Sequence, residues 1–273
     1  MTGYGLCQLT GKHGKYVRAH VIPEALTKPS ISGESFIQAG RGERPVRRWT
    51  SWYDPKIVTA DGERILADYD DWGITELRRL NLVWSSLGKL NVAEFEDWNA
   101  TRNAGHGVRI FDYANGDKLR LFLLSILWRA AVSRLPEFRY IRVPKRQLDR
   151  LGKMLIDQDP KPYFMFSACL IQLSNIGPRH NFTPMAGKKQ AGSSKKGHVR
   201  IFRFYLDGLA CHFHRDTKVQ DWRGMGDLCV QGGEQLGVIT VPFECSLQNE
   251  IMEREADLAA SQWPNVISKL AKP

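Results

Sequence analysis

Apolar residues recur at helical spacing in four stretches of the chain. Residues 118–134 are apolar nearly all round, which is typical of a helix at the centre of a core, and Arg129 inside them is expected to form a buried ion pair. Residues 145–156 combine an apolar side with a basic side. The same spacing predicts further helices over 74–87 and 247–261. The pattern therefore predicts several helices around one strongly apolar helix.

Short apolar runs bounded by turn residues predict β-strands in the second half of the chain. The clearest are 199–206 and 209–214, which flank Asp207-Gly208, a dipeptide that favours a type I′ hairpin turn. Residues 163–173 and 237–244 are two further predicted strands. Helices and strands that alternate irregularly in this way predict an α+β fold.

Two histidines stand out on the second strand of the predicted hairpin. Alternation puts His212 and His214 on one face and Cys211 and Phe213 on the other. Histidines two residues apart on a strand can chelate a metal, with an aspartate such as Asp216 as a candidate third ligand. Because the sequence shows no clear third and fourth ligand, a structural role for this pair is the favoured interpretation.

Residues 28–61 show little periodicity and many glycines and prolines, which predicts a long insertion with turns. This stretch also interleaves basic and aromatic side chains, as a surface that follows a nucleic-acid strand would require. The candidate nucleic-acid-binding residues here are Arg41, Arg44, Arg47, Arg48, Trp49 and Trp52. The alternative is a loop whose tryptophans anchor it to the core while its arginines are merely solvated.

Composition favours a polyanionic partner. Lysine and arginine number 39 against 29 acidic residues, for a formal net charge of +10. Nucleic acid is the first candidate, DNA before RNA, and a protein partner or a second copy of the chain stays open. The five cysteines form no regular spacing, which predicts free thiols in a reducing compartment. With no signal-peptide pattern and no membrane-length apolar run, the expected localisation is cytoplasmic.

The stretch from Cys7 to Ala25 carries the most specific motifs. Cys7-Gln-Leu-Thr10 is like one arm of a zinc knuckle with its second cysteine replaced, and His20-Val-Ile-Pro23 closes a short β-prone run. Together they resemble the HNH (ββα-metal) endonucleases, in which a Cys-x-x-Cys pair precedes a His-Ile-x-Pro segment. The resemblance implies an N-terminal ββα module in which His20 acts as general base on a water molecule.

The second half of the resemblance is expected at residues 63–73. There, Ile65-Leu66 would end the second strand, and residues 67–70 would fall where the family has its other cysteine pair. Both of those cysteines are absent, so structural zinc is not expected. The resemblance implies that Asp71 shares catalysis with His20, and that a divalent ion, Mg²⁺ or Mn²⁺, is held by Asp68, Asp70 and Asp71. An alternative role for Asp70 and Asp71 is capping of a helix N-terminus.

Two functional hypotheses follow. The first is a metal-dependent HNH-type endonuclease or nickase, with residues 1–108 as the ββα module and 109–273 as a helical and β-sheet body. In it, Arg78 and Arg79 would grip DNA phosphates, unless they are simply the solvated face of a helix. The second is a catalytically inactive HNH-derived subunit that binds nucleic acid or a partner. The distribution of resembling sequences suggests a role in phage–host conflict. A metal enzyme built on His212 and His214 ranks below both.

Overall fold

The computed structural model describes residues 3–27, 36–40, 43–49, 51–103, 105–178, 180–190, 198–216 and 218–270. Within them it has an α+β architecture, with a seven-stranded mixed sheet, a set of helices and small N-terminal hairpins. None of the helices in these ranges combines the length and the hydropathy that crossing a bilayer requires.

The N-terminal region consists of short antiparallel strand pairs followed by a long helix. Strand β1 pairs with β2, and β3 pairs with β6. The long segment between β3 and β6 contains a second hairpin, in which β4 pairs with β5. The elements are β1 (Tyr4–Leu6), β2 (His13–Lys15), β3 (Ala19–His20), β4 (Phe36–Gly40), β5 (Glu43–Arg48), β6 (Tyr53–Asp54) and α1 (Ala60–Arg79). The predicted insertion thus contains a β-hairpin.

The long helix α1 begins at residue 60, well before the predicted start at 74. Its first turn carries Asp61 and Glu63, whose charges favour a helix N-terminus, and its buried side includes Leu66 and Leu77. A Cβ at Gly73 would collide with the ring of Phe122, so this glycine allows a close approach between two helices. The predicted strand end at Ile65-Leu66 is therefore wrong. The helix predicted over 74–87 is confirmed in part, since residues 74–79 belong to α1 and residues 84–87 form a separate short helix.

The middle of the chain contains the most buried helix. Helix α3 is buried along nearly its whole length, as its apolar sequence predicted, and α4 turns its apolar side toward it. Strand β8 belongs to the main sheet and contains the predicted domain boundary at residue 108. That division itself stays a prediction. The elements are α2 (Trp84–Leu87), β7 (Trp98–Ala100), β8 (Gly107–Asp112), α3 (Gly116–Val132) and α4 (Lys145–Asp157).

The remaining elements complete the main sheet, whose strand order is β10-β11-β12-β9-β13-β8-β7. Strands β9 and β13 run parallel, and the other neighbours are antiparallel. The Asp207-Gly208 turn is confirmed, since both residues have the positive φ that a type I′ turn requires. The elements are β9 (Ala168–Leu173), β10 (Met185–Gln190), β11 (His198–Leu206), β12 (Leu209–His214), α5 (Val219–Arg223), β13 (Gln235–Val241), α6 (Leu247–Gln262) and α7 (Pro264–Leu270).

Candidate functional site

His20 lies at the end of β3, where it is paired with Tyr53 of β6. The next two residues, Val21 and Ile22, are fully buried and fix the backbone, while the His20 side chain stays 29% exposed. Its Nε2 is 3.9 Å from the Oε2 of Glu24. Burial lowers the pKa of His20, and the negative charge of Glu24 opposes that shift only in part. The ring is therefore mainly neutral at pH 7, which is the form that accepts a proton.

A buried arginine from α3 lies directly behind this strand. The side chain of Arg129 is only 2% exposed, and its guanidinium binds both carboxylate oxygens of Asp70 on α1, at 2.6 and 2.7 Å. It also donates to the carbonyl oxygen of His20 at 3.1 Å and to the hydroxyl of Ser125 at 3.2 Å. The predicted buried ion pair is thus confirmed. It joins β3, α1 and α3 at one point.

Glu63 is a further acidic group in this cluster. It lies two helical turns before Asp70 on α1, and its Oε2 is buried without a hydrogen-bond partner among the described residues. Burial raises the pKa of Glu63, the charge of Arg129 opposes that rise, and the charge of Asp70 adds to it. The sequence interpretation missed this residue because it assigned a strand to this region. A helix beginning at residue 60 would have put positions 63 and 70 on one face.

The other two predicted metal ligands lie elsewhere on α1. Asp68 and Asp71 are exposed, whereas Asp70 points inward to Arg129. All three are inside the helix, so the expected capping role for Asp70 and Asp71 is wrong, and the N-cap position is Thr59. Within the described ranges, no three His, Cys, Asp or Glu side chains are grouped so that they could hold a metal ion. The structure thus does not bring the predicted metal-binding trio together.

Cys7 faces the beginning of α1. The backbone N–H of Thr10 donates to its Sγ at 3.4 Å, and a Cβ at Gly62 would lie only 2.6 Å from that sulfur. Burial by itself would raise the pKa of the Cys7 thiol, but hydrogen bonds with Thr10, Thr59 and Leu9 outweigh burial and lower it. The segment opposite Cys7 is therefore the first turn of α1, and not residues 67–70 as the sequence predicted.

The predicted basic and aromatic residues have divided roles. Trp49 is 56% exposed, whereas Trp52 is buried edge-on against Phe138. Arg44 and Arg47 line an open cleft of about 450 Å³ together with Lys269 of α7. Four predicted arginines are exposed, namely Arg44, Arg48, Arg78 and Arg79. Two of them have acidic partners: Arg48 binds Glu137, and Arg79 binds Glu76. Arg41 lies outside the described residues.

Another cation next to His20 was not singled out from the sequence. The guanidinium carbon of Arg18 lies 3.4 Å from the centre of the Tyr53 ring, and Tyr53 is the cross-strand neighbour of His20. Both side chains are exposed. Burial is the largest cause of the lowered pKa of His20, and the positive charge of Arg18 also helps to lower it. The only signal in the sequence was the closeness of Arg18 to the His20 motif.

The second pair of histidines belongs to the main sheet. His212 and His214 are buried on β12, and neither ring nitrogen of His212 has a hydrogen-bond partner among the described residues. Burial lowers their pKa values to about 3 and about 4, so both rings are neutral at pH 7. Asp216, the suggested third ligand, is bound by Arg200. The predicted structural role fits this arrangement.

Comparisons with protein-family models, with curated proteins and with solved structures find no match for this chain.

Proposed function

We propose that the chain binds DNA through an HNH-like ββα module formed by β3, β6 and α1, in which Arg129 takes the place of the metal ion. The observation that carries the proposal is the Arg129 guanidinium held between Asp70 and the backbone of His20. Enzymes of this type need a cation beside the catalytic histidine to stabilise negative charge on phosphate. Here a permanent cation of the protein, the guanidinium of Arg129, binds the backbone carbonyl of His20.

The order of the elements supports the resemblance. A strand ends at His20, its antiparallel partner is β6, and α1 begins six residues after β6 ends. The strand-to-helix junction, where the family has its second cysteine pair, is the segment that packs on Cys7. A zinc knuckle that has lost its metal ion would have to be stabilised by direct packing between its two segments. The close packing of Cys7 on Gly62 is consistent with that requirement.

The residues around His20 do not fit a divalent metal ion. Both oxygens of Asp70 are bound by Arg129, so a metal there would have to displace a buried guanidinium. Leaving that charge without its partner is costly, by about 3–5 kcal/mol for a typical buried ion pair. This supports the inactive, nucleic-acid-binding form of the hypothesis over the metal-dependent enzyme.

The DNA contact in this proposal includes Arg18 and Tyr53. A guanidinium binds phosphate oxygens bidentately, and an exposed ring next to it can pack on a sugar or a base. Trp49, Arg44 and Arg47 extend the basic and aromatic character of the same N-terminal region.

Fluorescence anisotropy of a labelled 20-base-pair duplex tests this proposal. Replacing Arg18 by Gln is expected to weaken binding and to reduce the slope of log K against log salt by about 0.9, the value for one phosphate contact. The matched control is Lys89→Gln, which removes one charge from an exposed lysine beyond α2. Equal effects of the two substitutions, or no binding by the wild type, would contradict the proposal.

The second candidate is the HNH-type endonuclease, with Mg²⁺ or Mn²⁺ as the expected ion. The observation that favours it is the accessible His20 ring, whose lowered pKa keeps it able to accept a proton at pH 7. Its signature is metal-dependent nicking of plasmid DNA that His20→Ala abolishes.

A further inference from the structure

A second basic site lies at the beginning of α4. Arg146 and Arg150 are one helical turn apart and exposed, while Leu151 and Leu155 of the same helix are buried. The two arginines line an open cleft of about 450 Å³, a volume within the usual range of small-ligand sites. We call this space the arginine cleft.

Two other parts of the chain also line the arginine cleft. Arg215 directly follows β12, and its guanidinium carbon lies 4.5 Å from the centre of the Phe202 ring, which holds it in place. Phe164 also lines the cleft and is 36% exposed. An aromatic ring thus stands beside three guanidinium groups.

The charges of the arginine cleft are largely uncompensated. Asp216 is a carboxylate in its lining, and Arg200 binds it through two hydrogen bonds, one of them 2.6 Å long. Hydrogen bonds from Arg200 lower the pKa of Asp216, so the carboxylate stays ionised and paired. In the described part of the chain, no carboxylate forms an ion pair with Arg146 or Arg150.

The neighbouring lysines of α4, unlike Arg146 and Arg150, have acidic partners. Lys145 pairs with Asp149, and Lys153 pairs with Asp157 at 4.0 Å. The helix thus neutralises its lysines and leaves its cleft-facing arginines unpaired. Its N-cap residue, Pro144, provides no side-chain hydrogen bond to the first turn, whose free N–H groups add to the positive potential.

We infer that the arginine cleft binds a phosphate group of a nucleotide, whose base packs on Phe164. Guanidinium groups one helical turn apart can hold phosphate oxygens from two directions, and an exposed ring stacks on any base. The nucleotide is either free or part of a single strand, because the chemistry of both is the same. None of these residues belongs to β3, β6 or α1, so the inference does not depend on the proposed DNA-binding module.

The test uses the full chain with three probes: fluorescein-labelled dT12, ADP and inorganic pyrophosphate. The double variant Arg146→Gln/Arg150→Gln is expected to lower affinity for dT12, ADP or both by about tenfold or more, since it removes two charge-assisted contacts. The matched control is Lys145→Gln/Lys153→Gln, which removes the same charge from paired lysines and is expected to change affinity by less than about threefold. If the protein binds dT12 but not ADP, the ligand is a single strand. If it binds ADP, a free nucleotide is a sufficient ligand.

Phe164→Ala separates the base from the phosphate. This substitution is expected to lower the affinity for ADP or dT12 and to leave the affinity for pyrophosphate unchanged. The inference is overturned if the wild type binds none of the probes at millimolar concentration, or if the arginine and lysine double variants behave alike. If Phe164→Ala lowers the affinity for pyrophosphate and for the nucleotide equally, the base does not pack on the Phe164 ring. The ADP and pyrophosphate measurements contain no DNA, so their failure is distinct from failure of duplex binding.

Discussion

Removing the carboxylate of Asp70 is the most informative perturbation of the protein interior. The substitution Asp70→Asn keeps the shape of the side chain but takes away the negative charge that Arg129 binds at 2.6 and 2.7 Å. Arg129 is 2% exposed, and its remaining partners are neutral oxygens of His20 and Ser125. The variant therefore retains a buried charge without its counterion.

The expected cost follows from this geometry. Breaking a buried ion pair typically destabilises a protein by about 3–5 kcal/mol. The side chain of Asp70 is 18% exposed, so water reaches part of the site, and we expect a cost somewhat below that range, about 2–3 kcal/mol. With a urea m value of about 3 kcal/mol/M, the midpoint should fall by about 1 M.

Urea unfolding followed by circular dichroism measures this shift. The matched control is Asp68→Asn, an exposed aspartate on the same helix, which should change stability by no more than about 0.5 kcal/mol. The double variant Asp70→Leu/Arg129→Met removes both charges and should recover much of the loss. Equal midpoints for Asp70→Asn and Asp68→Asn would refute the reasoning, because the ion pair would then not stabilise the folded state.

Three further predictions concern the same region. The raised pKa of Glu63 means that the folded state binds the Glu63 proton more tightly than the unfolded chain does. Protonation of Glu63 therefore stabilises the folded state fully below about pH 4.5, and this stabilisation is lost as pH rises through the folded pKa. Glu63→Gln should therefore flatten the fall in urea midpoint that the wild type shows above that pH, and an unchanged profile would contradict this. For His20, NMR titration should give a pKa below 6.5, and Glu24→Gln should lower it further because the Glu24 charge raises it; a rise would contradict the assignment. Gly62→Ala should lower the free energy of unfolding by about 1–3 kcal/mol, because the new Cβ would collide with Cys7. Cys7→Ala should destabilise the protein less in the Gly62→Ala background than in the wild type. Strictly additive effects would mean that the two residues do not touch.

The sequence predicted best the elements whose signals are local. Helix α3 was recognisable because its apolar residues leave no polar face, and the turn at Asp207-Gly208 because few dipeptides adopt two positive φ angles. Helix α1 was missed at its beginning because the resemblance to HNH endonucleases assigned Ile65-Leu66 to a strand and because Gly62 is typical of a turn. That glycine reflects close packing on Cys7, which no local pattern reveals.

The candidate site depends on contacts that are distant in sequence. Arg129 meets Asp70 across 59 residues and His20 across 109, so neither partner can be identified by spacing. His20 itself was identified through the motif around it. The arginine cleft likewise joins α4 to Arg215, and only the basic face of α4 could be read from the sequence.

The most direct test of the central claim is an assay of supercoiled plasmid with Mg²⁺, Mn²⁺ or EDTA, in which binding and nicking are measured on the same samples. The wild type and His20→Ala are compared, with Asp68→Asn as a control for an exposed charge on α1. If Arg129 has taken the place of the metal ion, the wild type binds plasmid under all three conditions and does not nick it. Metal-dependent nicking that His20→Ala abolishes, with binding retained, would contradict this account and establish the endonuclease.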